Sequence, residues 1–437
     1  MTFALYPYGS RTQVMWSEFR AEQGIDTLCL GSSIGAHSYD PEVFDRELGS
    51  KSFNMCTDSQ LVVESHLGLR EALESNDVKR VFYAVDFGML WDDRGMYPGR
   101  EFLREKGKGE TPFEWLSDLA FALRGWSWMN TEQSINWLFP WIELRVGTNM
   151  VRENIAMQLD GTPLVKAQEV SCEKNGYPLI YRCRGYSNYD GVCDFNADRQ
   201  TLYSDAHMRP LNEENLKDLA ALCDLCASRG IEFIAYIPPK TDFGLIDMRD
   251  YYDEFTRQVK STVVEHGGSY YDFNLAKPEV FEAEESYYWD WEHLNTTGCA
   301  AFSEAFARFL QARDAGADVD SLFMTYEEKL ASMDTISLVV LEDHPTPEGI
   351  KLKASCLAGP NVKPEYQFLV ERPDGSFEVI QDYSPEDECL YVPEGRGVVT
   401  VRVNARQQGS DAEFEKHTQH RVTNTHGRPG GPERGER

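Results

Sequence analysis

The chain has 437 residues, with 43 Lys and Arg against 72 Asp and Glu, for a formal net charge of -29. That balance excludes a basic nucleic-acid footprint and adhesion to anionic lipid through a basic face, and it says little about a substrate. Hydrophobic content of 41% and aromatic content of 12% supply a packed core, and the length calls for one large domain and at least one smaller one.

Ten cysteines follow no regular framework. Only Cys223 and Cys226 form a close pair, inside a helical pattern with no second pair to complete a zinc site. Both are expected as buried thiols that bind no metal. No run approaches about 18 consecutive apolar residues, and no basic region precedes an apolar one. The sequence as it stands therefore reads as cytoplasmic. The opening Ala4-Leu5-Tyr6-Pro7-Tyr8-Gly9 nevertheless looks more like the middle of an extracytoplasmic juxtamembrane segment than a natural start.

Taken in order, residues 10–25 carry Trp16 and Phe19 among polar neighbours and predict a short helix. Asp26 to Gly31 is an apolar strand that stops at Gly31-Ser32-Ser33. A polar loop follows, in which His37 reads as a surface residue, and then a helix with Val43, Phe44 and Leu48 that closes at Gly49. Ser52 to Cys56 predicts a second strand, 61–73 an amphipathic helix, and Val78 to Phe87 a third strand. The alternation then breaks for an insertion at about 90–210 that holds Trp115, Trp126, Trp128, Trp137 and Trp141, more than half of the nine tryptophans. It reads either as a helical subdomain on the main sheet or as an aromatic lid or docking face. Gly176 to Asp194 has no period and predicts loop.

Alternation resumes with a helix from Asn212 to Gly230, a strand from Ile231 to Pro239, a helix over 250–266, a strand over 270–273 and a closing helix over 298–312. Strands alternating with helices imply a five-stranded parallel sheet with right-handed crossovers. Near residue 330 the pattern becomes short β runs between Pro, Gly and Asp turns, an all-β sandwich signature. The expected layout is an α/β domain over 1–325, a β-sandwich over 333–405 and a disordered tail over 406–437.

Two stretches carry chemistry. A buried strand ending in Gly-Ser-Ser places a serine at the carboxyl edge of the sheet, where open α/β folds build their sites. Asp290-Trp291-Glu292-His293 supplies an acid and a base three residues apart. A serine hydroxyl is a poor nucleophile until a base takes its proton, and the base works best when an acid fixes its tautomer. Ser33, His293 and Asp290 therefore predict a serine hydrolase or acyl transferase, with backbone N–H groups beside Ser33 and in the loop beginning at Asn54 as oxyanion donors. The same residues have structural readings: Ser33 as a strand-end cap, Asp290 as a helix cap, His293 as a loop histidine paired to backbone. Gly31 to Gly35 lacks the Gly-Lys-Ser/Thr of a phosphate loop.

Gly31-Ser32-Ser33 near the start, Asn54 after the second strand begins, and Asp290-x-x-His293 before the last helix resemble the block order of SGNH (GDSL-like) hydrolases. The Gly-Ser-Ser…Asp-Pro opening and the Asp-x-x-His-Leu-Asn ending are similar to the bacterial branch that includes the D-alanyl transfer protein of the teichoic-acid pathway. The resemblance covers about residues 20–315. It implies a flavodoxin-like three-layer α/β/α sandwich, with Ser33 as nucleophile, His293 as base and Asp290 as its orienting acid. Ser32 stands where well-known members carry Asp, and Asp86-Phe87-Gly88 replaces the Gly-x-Asn-Asp that gives an oxyanion asparagine. Ser59 and Asp86 are the oxyanion candidates by alignment. The C-terminal module, with Tyr366 and Phe368 in an alternating strand, loosely resembles triple-tyrosine, immunoglobulin-like modules of bacterial surface proteins.

The resemblance implies a serine esterase or O-acyltransferase acting on an acylated carbohydrate or cell-wall polymer, at the cell surface if the N-terminus is truncated. Neither a metal nor an organic cofactor is expected. Peripheral contact with a membrane-bound acyltransferase belongs to the same expectation, and nucleic acid does not. The rival expectation is a catalytically inactive glycan-binding or scaffold protein of the same fold.

Overall fold

Five short runs with buried side chains pair in parallel to make one sheet. The structure, a computed structural model, describes residues 2–91, 100–122, 141, 145–196, 202, 210–393 and 397–424. In chain order the first unit holds α1 (Arg11–Phe19), β1 (Thr27–Gly31), the single turn α2 (Ser33–Ala36), α3 (Pro41–Leu48), β2 (Ser52–Asn54), α4 (Val62–Ser75) and β3 (Arg80–Ala84). A hairpin of β4 (Ile180–Cys183) and β5 (Tyr186–Asn188) follows, then α5 (Glu213–Arg229), β6 (Glu232–Ile237), α6 (Tyr252–Glu265), β7 (Ser269–Asp272) and α7 (Thr296–Asp314).

The sheet order is β2-β1-β3-β6-β7, so β1 is internal and every one of its residues is buried. The step from β1 to β2 runs one way across the sheet and the later steps run the other. Right-handed crossovers then put α3 on one face and α4, α5 and α6 on the opposite face. Helix contacts follow this division: α7 packs on α3, and α5 packs on both α4 and α6. The α3–α7 layer is aromatic, with Phe44 and Phe82 each within 5.6 Å of Phe306 between ring centroids. Deleting a ring from such a layer typically costs about 3–5 kcal/mol.

Local signals set the helix ends. Asp40 caps α3, accepting from the Glu42 N–H at 3.0 Å with Pro41 at the first helical position. Asn212 caps α5 in the same way, at 2.9 Å from the Glu214 nitrogen. Cys223 and Cys226 both lie buried on α5.

The stretch expected as loop from Gly176 to Asp194 contains the β4–β5 hairpin instead. Its turn is Arg184-Gly185, both left-handed (φ 37° and 78°), and the Glu18 carboxylate on α1 accepts both turn amides at 3.0 and 2.7 Å. A hairpin held from outside by a carboxylate needs no apolar alternation of its own, which is why its residues show no period. Elsewhere in the insertion, helices Pro112–Ala122, Val151–Leu159 and Leu164–Ser171 form, and the last packs on α1. Trp115 there is 39% exposed, whereas Trp126, Trp128 and Trp137 lie outside the described residues.

The hairpin gives a first expected outcome. A Cβ at Gly185 would lie 2.1 Å from the Asn54 carbonyl oxygen, which is backbone and cannot step aside. Gly185→Ala should therefore lower stability by about 2–5 kcal/mol, the sum of left-handed strain and overpacking. Thermal melting reads this directly, and an unchanged midpoint would show that the turn does not clamp β2.

The second unit gathers the described residues of 193–206, Thr241–Arg249 and those from Thr325 onward, so two short segments expected in the first domain belong here. Its strands are β8 (Ile336–Thr346), β9 (Gly349–Ala358), β10 (Pro364–Glu371), β11 (Phe377–Ser384), β12 (Glu388–Tyr391), β13 (Gly397–Gln407) and β14 (Lys416–Asn424). They form two antiparallel sheets, β11-β10-β13-β14 and β12-β9-β8, around Ile350, Leu352, Phe368, Val401 and Val403. The tail expected as disordered from 406 differs over 406–424. β13 runs to Gln407, and β14 pairs along it from Ala405↔Lys416 to Gly397↔Asn424. β14 is an edge strand with Val422 buried among polar side chains, so it carries too little apolar alternation to be read. Residues 425–437 lie outside the described residues.

Candidate active site

β1 delivers the serine. Its last residue, Gly31, has φ +138°, and a Cβ there would lie 2.7 Å from the Ala84 carbonyl oxygen on β3. Only glycine lets the two strand ends approach this closely while the chain turns. The turn leads directly into α2, so Ser33 is the first helical residue at the carboxyl edge of the sheet. Ser32 caps that turn, accepting from the Ile34 N–H at 3.4 Å and donating its hydroxyl to Asp86 Oδ2.

The loop before α7 delivers His293. Tyr288 bridges Leu294, and the Trp289 N–H donates to the His293 carbonyl at 3.1 Å, closing residues 289–293 into a tight loop. Inside it, Asp290 Oδ1 accepts the N–H groups of Glu292 (3.0 Å) and His293 (2.8 Å). The carboxylate is thereby fixed against the ring: His293 Nδ1 lies 2.8 Å from Asp290 Oδ2 and 3.0 Å from Oδ1. The other ring nitrogen, Nε2, lies 2.9 Å from Ser33 Oγ. The carboxylate accepts the Nδ1 proton, so Nε2 presents its lone pair and the Ser33 hydroxyl donates to it. The cap of α7 is Asn295, not Asp290, with its side chain 2.9 Å from the Gly298 nitrogen.

Electrostatics follow from these contacts. Burial opposes the charged imidazole, but the Asp290 charge and hydrogen bond, helped by Glu292, hold His293 above its ordinary value. Burial likewise opposes the Asp290 carboxylate, while His293 and the two loop amides hold it below the usual range. A deeply set carboxylate stays ionised beside a base that is readily protonated, as proton transfer from a serine requires. Glu292 Oε1 stands 4.0 Å from His293 Nε2, and its Oε2 is 3.6 Å from Lys240 Nζ. Lys240 thus engages the Glu292 carboxylate that stands near His293 Nε2.

His37, expected at the surface, is buried at 3% exposure against this site. Its ring centroid is 5.1 Å from that of His293 and 5.3 Å from Trp289, which in turn stacks on His293 at 15°. Arg11 Nη2 reaches His37 Nε2 at 3.0 Å, and an arginine donates and never accepts, so Nε2 is unprotonated. His37 Nδ1 must then carry the proton and donate to Asn188 Oδ1 at 2.6 Å, an oxygen that also accepts from the Tyr189 N–H. Burial, followed by the Arg11 charge, pushes His37 well below the ordinary imidazole range and keeps it neutral. Arg11, Asn188, Tyr189 and Trp289 escaped sequence reasoning. Arg11 sits in a helix that reads only as a lead-in, and Asn188-Tyr189 in a segment without period.

The two oxyanion candidates fall differently. Asp86 Oδ1 accepts from the Gly88 N–H at 2.8 Å and Oδ2 from the Ser32 hydroxyl, so its carboxylate serves as an acceptor. Ser59 is left-handed (φ 54°) in the loop after β2. The Asn54 amide is committed: Nδ2 donates to the Gly35 and Tyr39 carbonyls at 3.2 and 2.9 Å, and Oδ1 accepts from the Cys56 N–H. Among the described residues, no group of three or more His, Cys, Asp or Glu side chains is placed to hold a metal ion.

No family model matches the chain, and neither does any curated protein. Among solved structures, the chain is similar to a protein described as a platelet activating factor from Streptococcus pneumonia, at 10% identity and TM-score 0.29, over 69% of this chain and 92% of that one. It is also similar to a protein described as an acylhydrolase from Bacteroides fragilis, at 9% identity and TM-score 0.32, over 71% and 95% of the two chains.

Proposed function

We propose that the chain is an SGNH-like serine esterase or O-acyltransferase in which Ser33 is the nucleophile, His293 the general base and Asp290 its orienting acid. One observation carries this reading: a single imidazole joins the Ser33 hydroxyl on one nitrogen to the Asp290 carboxylate on the other. Supporting it is the order β2-β1-β3-β6-β7, which we read as a flavodoxin-like three-layer sandwich with the serine at the carboxyl end of its first strand.

In the proposed cycle, Ser33 Oγ attacks an ester carbonyl while His293 Nε2 takes its proton. Backbone N–H groups of α2 and of the loop after β2 hold the tetrahedral oxyanion, in place of the asparagine amide found in the family. The imidazolium returns the proton to the departing alkoxide. Water or a sugar hydroxyl, deprotonated by the same nitrogen, then releases the acyl group from Ser33. The substrate we favour is an acyl ester on a cell-envelope glycan or polymer, met at the cell surface. A membrane-bound acyltransferase is the partner such a substrate calls for, and we take the second unit as an immunoglobulin-like module.

Labelling with a fluorophosphonate probe tests the reading directly. Stoichiometric modification mapped to Ser33, absent in Ser33→Ala, is the expected result. The rival reading, a glycan-binding protein without catalysis, draws on the carboxylate at Asp86 and the committed amide of Asn54. Glycan binding intact in Ser33→Ala, with no probe labelling and no turnover in the wild type, would decide for it.

A further inference from the structure

Arg11 offers five N–H donors and the structure uses two of them, both on Nη2: one to His37 Nε2 at 3.0 Å and one to the Ser187 carbonyl at 3.1 Å. Nε and Nη1 are buried and have no hydrogen-bond acceptor among the described residues. The residue is 4% exposed, so water does not reach the charge freely. Leaving buried, charged donors unmatched is costly. Among the described residues, the opposite charge paired with it is Asp58 Oδ1, 4.0 Å from Nε and beyond hydrogen-bond range, on a side chain that is 62% exposed.

Asp58 lies in the loop after β2, beside left-handed Ser59. The same loop is lightly tied to the serine strand, by a 3.4 Å hydrogen bond from the Thr57 N–H to the Gly31 carbonyl. Arg11 therefore touches both sides of Ser33: through His37 the histidine side, and through Asp58 the side that carries the proposed oxyanion amides.

We propose that Arg11 and Asp58 form a positioning pair for Ser33. A shift of about 1 Å brings the Asp58 carboxylate onto the Nε N–H, forming a charge-assisted hydrogen bond that sets the loop amides for the oxyanion. The inference rests on the serine-enzyme reading above.

The test is the rate at which Ser33 is phosphonylated by the fluorophosphonate probe, which needs the oxyanion site and no natural substrate. Asp58→Ala should slow labelling by up to about 100-fold, the penalty attached to a misplacement of about 1 Å. Asp58→Glu, which keeps a carboxylate, should recover part of the loss. Arg11→Lys keeps the charge without the Nε donor and should slow labelling similarly, and the double variant with Asp58→Ala should be little slower than either alone. Asp58→Ala should lower the melting midpoint while the protein stays folded, and the Asp58 variants decide the matter if Arg11→Lys folds poorly. The acid limb of the labelling rate should stay in place for Asp58→Ala, because His293 is untouched; a purely structural loss would not be confined to the plateau. Wild-type labelling rates in Asp58→Ala, or strictly additive losses in the double variant, would overturn the pairing and leave the triad standing. A wild-type protein that does not label overturns both.

Discussion

Ser33→Ala and His293→Ala are each expected to lower serine-dependent ester turnover by roughly 10³-fold or more, and the double variant by little more than either. The reason lies in the 2.9 Å contact between Ser33 Oγ and His293 Nε2. Without the imidazole the hydroxyl keeps its proton, and without the hydroxyl the imidazole has nothing to activate, so the two losses describe one event. Turnover of a small aryl ester measures it, and probe labelling guards against an ester too small for a polymer site. Two losses that multiply in the double variant would mean that the residues act separately, and the proposed cycle would fail.

Asp290→Asn should cost up to about 10⁴-fold in turnover, because an amide favours the wrong imidazole tautomer. The pH profile carries a second signature. The base must be neutral to accept the serine proton, so activity is lost as pH falls through the His293 pKa. In the wild type that value is held above the ordinary 6.5 by Asp290 against the pull of burial. The acid limb of kcat/KM should accordingly lie above pH 6.5. In Asp290→Asn burial, the largest influence, remains and the Asp290 charge is gone, leaving only the weaker pull of Glu292, so the limb should move below 6.5. The stability contribution has the opposite sense: the raised pKa favours the folded protein at low pH, and the benefit disappears as pH rises through the folded value. Profiles whose acid limbs coincide would show that Asp290 does not set the basicity of His293.

The parts of the structure that were legible in the sequence are those written in local pattern. Apolar runs at Thr27–Gly31 and Glu232–Ile237 sit in strands, and Gly31-Ser32-Ser33 with Asp290-x-x-His293 are brought together by the sheet edge and a closed loop. What escaped was held by distant partners. The β4–β5 turn depends on Glu18, more than 160 positions away along the chain. His37 reads as a surface residue because its polar partners, Arg11 and Asn188, lie in segments that announce nothing themselves. β14 was missed because an edge strand needs only a few buried side chains such as Val422. Polar networks leave no period in a sequence, and residues recruited through them are invisible until the chain is folded.

The site gathers residues from four well-separated stretches, at Arg11, Ser33, Asn188 and His293. During synthesis the serine leaves the ribosome some 260 positions ahead of the histidine that would arm it. On the proposed cycle, a nascent chain would be chemically inert towards esters until His293 and α7 have been made, and would then acquire reactivity in one step. A chain stalled or truncated before α7 would carry an unarmed hydroxyl, so a half-made copy could do no harm to ester-bearing molecules around it.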